Sequence, residues 1–279
     1  FPTIPKVRVT LNGKSDIYDP RTGTTGFTTN WALIAADVIT DPVFGLGDPT
    51  VNQAQLIASA NICDQQVTLV NGHTESRYTT TYSYDTSASP GNVLDTMMGG
   101  AGGRISRIGG EWFIVPAYWQ SPSLSLDEGD LTAPIEWTPY RTADKLFNSV
   151  NGTYIAPNYP YAVVGNLYDS NGYYLGEKQN TFAFAYQPTS YPSYACDSLH
   201  GYPSNQWLTE DGGRSRPQQM NYPTVLSVAT AQRLCKIALL RNRFQGSGTL
   251  EMSLTAWQAQ PFDVIEMTSP TMGLVAKSL

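Results

Sequence analysis

Asn30-Trp31-Ala32-Leu33-Ile34-Ala35-Ala36-Asp37-Val38-Ile39-Thr40-Asp41-Pro42 is the stretch on which the fold turns. Trp31, Ile34, Ala35, Val38 and Ile39 recur at the three- and four-residue spacing of one helix face. Asn30 or Thr29 can cap the first turn. The helix stops before Asp41-Pro42, because the residue ahead of a proline is driven out of the α region. Phe44-Gly45-Leu46-Gly47 then reads as a turn, and a second helix is expected from about Asn52 to Asp64. Its apolar side would carry Ala54, Ile57, Ala58, Ala60 and Ile62.

Upstream, Val7, Val9 and Leu11 alternate with Arg8, Thr10 and Asn12, which predicts a strand over 5–12 ending in the Asn12-Gly13 turn. Downstream, strands are expected at Val67–Val70 and Arg77–Tyr84, on either side of Asn71-Gly72. A third helix opens at Pro90-Gly91 and runs through Val93, Leu94, Met97 and Met98 until Gly99-Gly100 and Gly102-Gly103 stop it. Gly109-Gly110 joins two further strands, Arg104–Ile108 and Glu111–Ala117. The order over residues 28–120 is ααββαββ.

After Gln120 prolines and turn residues become frequent. Asp127–Asp130 is a small acidic cluster, and short strands are expected at Ile135–Trp137, Ser149–Tyr154 and Thr181–Tyr186. Residues 187–223 carry Pro188, Pro192, Pro203, Pro217 and Pro223 among many Tyr, Ser and Gly. They read as one long loop with a short helix near Pro203–Thr209; so long a loop marks function or partner contact. Val228–Phe244 is the best helix. Ala231, Leu234, Cys235, Ala238 and Leu239 form its apolar face; Arg233, Lys236, Arg241 and Arg243 form a polar, solvated complement. Gly246-Ser247-Gly248 stops it. Leu250–Trp257 alternates as a strand, and Pro261-Phe262 turns into another at Asp263–Met267.

Charged residues make up only 14 % of the 279-residue chain, beside 17 Tyr and 6 Trp, against about 25 % charged in an average domain. This suggests a surface partly covered by a partner, or simply a β-rich protein. The net charge of −6 gives no general attraction to nucleic acid. No apolar run is long enough to read as a transmembrane helix. Phe1 in first place and the run ending at Leu279 lead us to expect a fragment of a longer chain.

Chemistry is sparse. His73 sits beside the Asn71-Gly72 turn and reads as solvated. His200 follows Cys196 by four residues, a weak hint of a metal pair. Cys63 and Cys235 lie in helices and read as small core residues. The glycines from Gly99 to Gly110 follow a helix rather than precede one, the wrong order for a phosphate cradle. A glycosidase would need two flanking carboxyls. Glu111 beside Trp112, Glu136 beside Trp137, and Glu210-Asp211 after Trp207 have that look, but ordinary surface acids look the same. We therefore expect no catalytic, cofactor-binding or metal-binding residue.

Several segments resemble one family in order. They are Val7-Arg8-Val9, Tyr18-Asp19-Pro20-Arg21, the stretch from Asn30 to Ile39, Phe44-Gly45-Leu46-Gly47, Ala231-Gln232-Arg233-Leu234, Leu240-Arg241-Asn242-Arg243 and Gln260-Pro261-Phe262-Asp263-Val264-Ile265. Together they resemble the hub region of phage tail-tip attachment proteins, the host-specificity protein J family and related putative phage tail proteins. The resemblance implies an α+β, β-rich fold. Residues 28–120 would be a small α/β domain, and 121–279 a tail-tube-like β-sheet or barrel flanked by helix 228–244. Residues 1–27 would pack on the β domain. It also implies a structural component of a tail tip or baseplate hub in the virion, made in the bacterial host cytoplasm, that caps or continues the tail tube. Partners would be copies of itself (a trimer in the full-length protein), tube proteins and tip or fibre proteins, with DNA only as cargo. The competing readings are a glycan-binding or glycan-cleaving tail module and a non-viral β-rich binding module.

Overall fold

A computed structural model describes residues 12–69, 72–138, 142, 145–155, 179–184, 211–214, 216–244 and 246–278. The strand expected over 5–12 (all but Asn12), the helix near Pro203–Thr209 and most of the 187–223 loop lie outside these residues.

The first helix, α1, spans Trp31–Thr40. Asn30 caps it: its Oδ1 accepts from the N–H groups of Ala32 at 3.1 Å and Leu33 at 3.3 Å. The other end of the same side chain donates from Nδ2 to the Ala60 carbonyl at 2.9 Å. Trp31, Ala32, Leu33, Ala35, Ala36, Val38 and Ile39 are all buried, so α1 is surrounded rather than laid on a surface. Its alanines let α2, Gln53–Asp64, and α3, Pro90–Ala101, approach closely.

On α2 the buried residues are Leu56, Ser59, Ala60, Ile62 and Cys63; of the expected apolar set Ala60 and Ile62 are buried, Ile57 is half-buried, and Ala54 and Ala58 are exposed. The polar Ser59 is tolerated inside because its hydroxyl donates to the Ile114 carbonyl. Helix α3 runs through Gly99 and Gly100 and stops one residue after Ala101, where Gly102 takes the left-handed conformation at φ 53° that glycine adopts without penalty. Trp31 donates from Nε1 to the Met97 carbonyl at 2.7 Å and so ties α1 to α3.

The first half carries three antiparallel hairpins. β1 (Ile17–Asp19) pairs β2 (Thr24–Gly26); β3 (Gln66–Thr68) pairs β4 (Thr74–Ser76); β5 (Arg104–Ile108) pairs β6 (Glu111–Val115). The strand expected at Arg77–Tyr84 is instead a crossing segment. Its backbone groups bond to the ends of other elements: Tyr78 N to Cys63 O, Trp31 N to Tyr78 O, Thr80 N to Thr29 O and Thr81 N to Thr224 O.

In the second half, β7 (Leu124–Asp127) and β13 (Ile265–Ser269) pair in parallel, with β14 (Leu274–Ser278) antiparallel on the far side of β13. β8 (Glu136–Thr138) pairs β12 (Ser247–Thr249). β9 (Ser149–Ile155) lies between β10 (Gln179–Phe184) and β11 (Pro217–Tyr222), antiparallel to the first and parallel to the second. Thus part of the expected long loop is strand β11; the helix ends before Gly246 as expected, and strand β12 begins at Ser247. The alternating Leu250–Trp257 stretch is not a strand. Met252 makes one isolated bridge to Leu131, and Leu254–Gln258 is a 3-10 turn.

The α+β class holds. The sheets contain two or three strands each, and those among the described residues do not close into a barrel. Helix α4, Val228–Phe244, packs on β9, β10 and α3. One continuous buried cluster runs from Ile17 through α1, α2 and α3 to Val150, Tyr222, Leu234 and Leu239.

In the described part of the N-terminal segment, Lys14 and Arg21 bond to the ends of α1 and α2. Lys14 Nζ binds Asp37 at 2.8 Å and Asp41 at 2.6 Å. Arg21 bridges Asp19 and Asp64, each at 2.8 Å. Neither α1 nor α2 has a basic residue in its last turn; Lys14 and Arg21 bring the positive charge those C-terminal ends favour.

Candidate assembly surface

Several of the residues singled out for chemistry have structural work. Glu111 accepts from Asn52 Nδ2 at 2.7 Å, beside the start of α2. Trp112 is half-buried, and its Nε1 donates to Asp48 at 2.9 Å. Glu136 lies in another sheet, on β8, with Trp137 stacked so tightly on Gly246 and Gly248 that a Cβ at either would overlap the indole. His73 is exposed. Asp211 accepts from Asn148 Nδ2 at 2.8 Å. Cys196, His200, Trp207 and Glu210 lie outside the described residues. Among the described residues no three His, Cys, Asp or Glu side chains are grouped to hold a metal. Burial pushes the Cys63 and Cys235 thiols up to about 12, so both are protonated and unreactive at neutral pH. No helix among the described residues is long and apolar enough to cross a membrane.

The basic face expected on α4 is not uniformly solvated. Arg233 is buried; its guanidinium donates to the Arg77 carbonyl at 2.7 Å and meets Glu75 at 3.4 Å. Glu75 also accepts from Ser227 Oγ at 2.6 Å and Thr230 Oγ1 at 3.1 Å, at the N-terminal end of the same helix. A carboxylate is favoured there by the helix dipole. The sequence pattern missed this clamp because Glu75 and Arg233 are far apart in the chain.

The two ends of the parallel β7–β13 pair carry exposed aromatic and charged side chains. Before the strands begin lie Arg104, Tyr118, Trp119, Arg241 and Phe262. Arg241 Nη1 donates to the Gly102 carbonyl at 3.0 Å, two residues from Arg104. Partial burial, then repulsion from Arg104, lowers the Arg241 pKa, yet a guanidinium keeps its charge. Arg104 lies 5.6 Å over the Phe262 ring, within cation–π range. Phe262 is held at φ 79°, the one positive value on a non-glycine residue among those described; such backbone strain costs on the order of 1–3 kcal/mol. Trp119 is 82 % exposed. Burial, then Asp263, raises the pKa of Tyr118. Among the described residues no carboxylate lies within salt-bridge distance of Arg104 or Arg241.

Beyond the other end of β7 is a 3-10 turn, Glu128–Asp130, capped by Asp127. Asp127 Oδ1 accepts from Gly129 N at 2.7 Å, and Glu128 accepts from Ser269 Oγ and from Thr271 N at 2.9 Å. Ser253 N donates to the Asp130 carbonyl at 2.7 Å, which places the exposed Leu254, and Trp257 one turn further, beside this acidic turn. None of the three carboxylates has a cation within salt-bridge distance among the described residues.

Residues 204–277 match the family model Phage-tail_3, described as "Putative phage tail protein". The match takes in α4, β12, β13 and part of β14. It supports a structural role in a phage tail, assembled with other tail proteins in the virion. No curated protein matches the chain.

Proposed function

We propose that this chain is a structural subunit of the tail tip or baseplate hub that caps or continues the tail tube, and that it carries no catalytic, cofactor or metal site. The match over residues 204–277 carries the reading; it takes in Arg241, Leu254, Trp257 and Phe262 of the aromatic and charged surface, while Arg104, Trp119 and the acidic turn lie outside it. Exposed Trp, Tyr and Arg are the residues enriched in protein interfaces. The unit over 28–120 is the smaller α/β module and 121–279 the tube-like part, held together by their shared core. The full-length protein is a trimer that contacts tube subunits and tip or fibre proteins, and DNA passes only as cargo. It is made in the host cytoplasm before joining the particle.

Gold-labelled antibody against the chain on purified particles tests this. Label confined to the distal end of the tail is the expected result. Label along the tube or on the head, or none on intact and mildly disrupted particles, refutes it.

A further inference from the structure

We infer that the patch formed by Arg104, Arg241, Trp119 and Phe262 receives the acidic turn Asp127–Asp130 of a second copy of this chain, head to tail. This deepens the tail-hub reading and rests on it. Each half of the contact is present on one molecule, at opposite ends of the β7–β13 pair. Both β7 and β13 begin at the arginine end, because they are parallel and in register from Leu124 opposite Ile265. The acidic turn follows Asp127, the last residue of β7. A second copy rotated about a common axis can bring its acidic end against the arginine end of the first.

Charge and shape agree. Two guanidiniums are held close together at one end, and three carboxylates at the other, with no countercharge within salt-bridge distance for either set among the described residues. Each set has an exposed apolar residue near it in the chain: Trp119 at 82 %, two residues from Ala117, whose N–H bonds the Ala101 carbonyl next to Gly102, and Leu254 at 78 %, next to Ser253, whose N–H bonds the Asp130 carbonyl. Arg104 lies 5.6 Å over the Phe262 ring, so that guanidinium is oriented before a partner arrives, which lowers the entropy cost of binding. Such a contact joins different patches on the two copies, so it closes into a ring or continues as a filament; the trimer of the hub is the closed form. The chain's net charge of −6 gives no general attraction to nucleic acid.

Sedimentation velocity on the full chain tests the contact with two variants. One carries Arg104→Glu with Trp119→Ala, the other Asp127→Asn with Leu254→Ser. Asparagine keeps the cap acceptor, and Leu254 is exposed, so the second variant leaves the fold alone. Wild type is expected to form a closed oligomer whose dissociation constant rises on adding salt. Each variant alone is expected to dissociate at least about tenfold more readily, or about 1.4 kcal/mol. Their equimolar mixture retains one intact contact and forms a heterodimer and nothing larger, which also shows that both variants are folded. A monomeric wild type at every concentration, variants that assemble like wild type, or a mixture without heterodimer overturns the inference. So does an arginine variant that loses short duplex DNA while keeping its oligomeric state. The particle labelling above reports separately: label at the tail tip with no head-to-tail contact removes this inference and leaves the hub reading standing.

Discussion

Asn30 offers a test in which two effects of opposite sign compete. Its carbonyl oxygen caps α1 while its amide nitrogen holds Ala60 of α2 at 2.9 Å, and the residue is 3 % exposed. Replacement by alanine removes the cap, about 1 kcal/mol, and the cross-link to α2, about 1 kcal/mol more. A small void adds to this, so Asn30→Ala is expected to cost about 2–3 kcal/mol. Asn30→Ser keeps a cap acceptor and loses only the link, about 1 kcal/mol. Asn30→Asp decides the matter. At a solvated helix start aspartate caps as well as asparagine, and its charge gains about 0.3–1 kcal/mol from the dipole. Here it would press a carboxylate against the Ala60 carbonyl in a buried site, and the desolvation penalty of several kcal/mol outweighs the dipole. The expected order of stability is therefore wild type, then Ser, then Ala and Asp. Urea denaturation with unchanged slope measures it; a loss of 2–3 kcal/mol moves the midpoint by about 1 M for a slope of 2–3 kcal/mol/M. An Asn30→Asp variant as stable as wild type would show that only the cap matters and that the α1–α2 link is idle.

Gly99 and Gly100 should answer oppositely to alanine. Nothing lies within 4 Å of a Cβ at Gly99, whereas one at Gly100 would overlap the buried Thr224 side chain. Gly99→Ala should stabilise by roughly 0.5–1 kcal/mol and Gly100→Ala destabilise, read by thermal melting; equal effects would contradict the packing of α3 on the Thr224 turn. Glu75→Ala removes the carboxylate that meets Arg233 and accepts from Ser227 and Thr230, and should cost about 1–3 kcal/mol. A loss under about 0.5 kcal/mol in denaturant would mean the clamp contributes nothing. Asp41, held down to about 2 by hydrogen bonds from Lys14 and then from the Phe44 and Val43 N–H groups, titrates near 3.9 when unfolded. Its folded value is the lower one, so its contribution is present above about pH 4 and is lost as pH falls toward 2. The neighbouring Asp37 is raised by burial and runs the other way. Asp41→Asn should flatten the acid limb of stability against pH; an unchanged slope rules the site out as a source of that limb.

Elements with local signals were readable in the sequence. Helix α1 announced its cap, its period and its proline stop, and α4 its full length. What escaped depends on partners distant in the chain. β11 exists because Pro217–Tyr222 lies beside Ser149–Tyr154, and nothing local marks it among prolines and tyrosines. Leu250–Trp257 alternates as a strand should, yet it finds no partner beyond one bridge at Met252 and turns instead, leaving Leu254 and Trp257 outside. Arg233 reads as solvated in a helix pattern and is buried because Glu75 and the Arg77 carbonyl wait for it. The assembly surface was legible only as a surplus of aromatics over charges. Which tryptophans face water, and that Phe262 adopts a left-handed backbone, follow from the paired strands and not from the residues alone.

The bonds from Thr80 and Thr81 to Thr224, and from Glu75 to Ser227 and Thr230, span more than half the chain. During synthesis the ribosome delivers α1, α2 and α3 long before α4, so their apolar faces stay open until the last quarter of the chain emerges. Such late closure slows folding and exposes nascent chains to aggregation. Premature termination before residue 222 should therefore yield not a smaller working module but a chaperone client, and a cell making this protein at high rate should be limited by chaperone capacity rather than by translation.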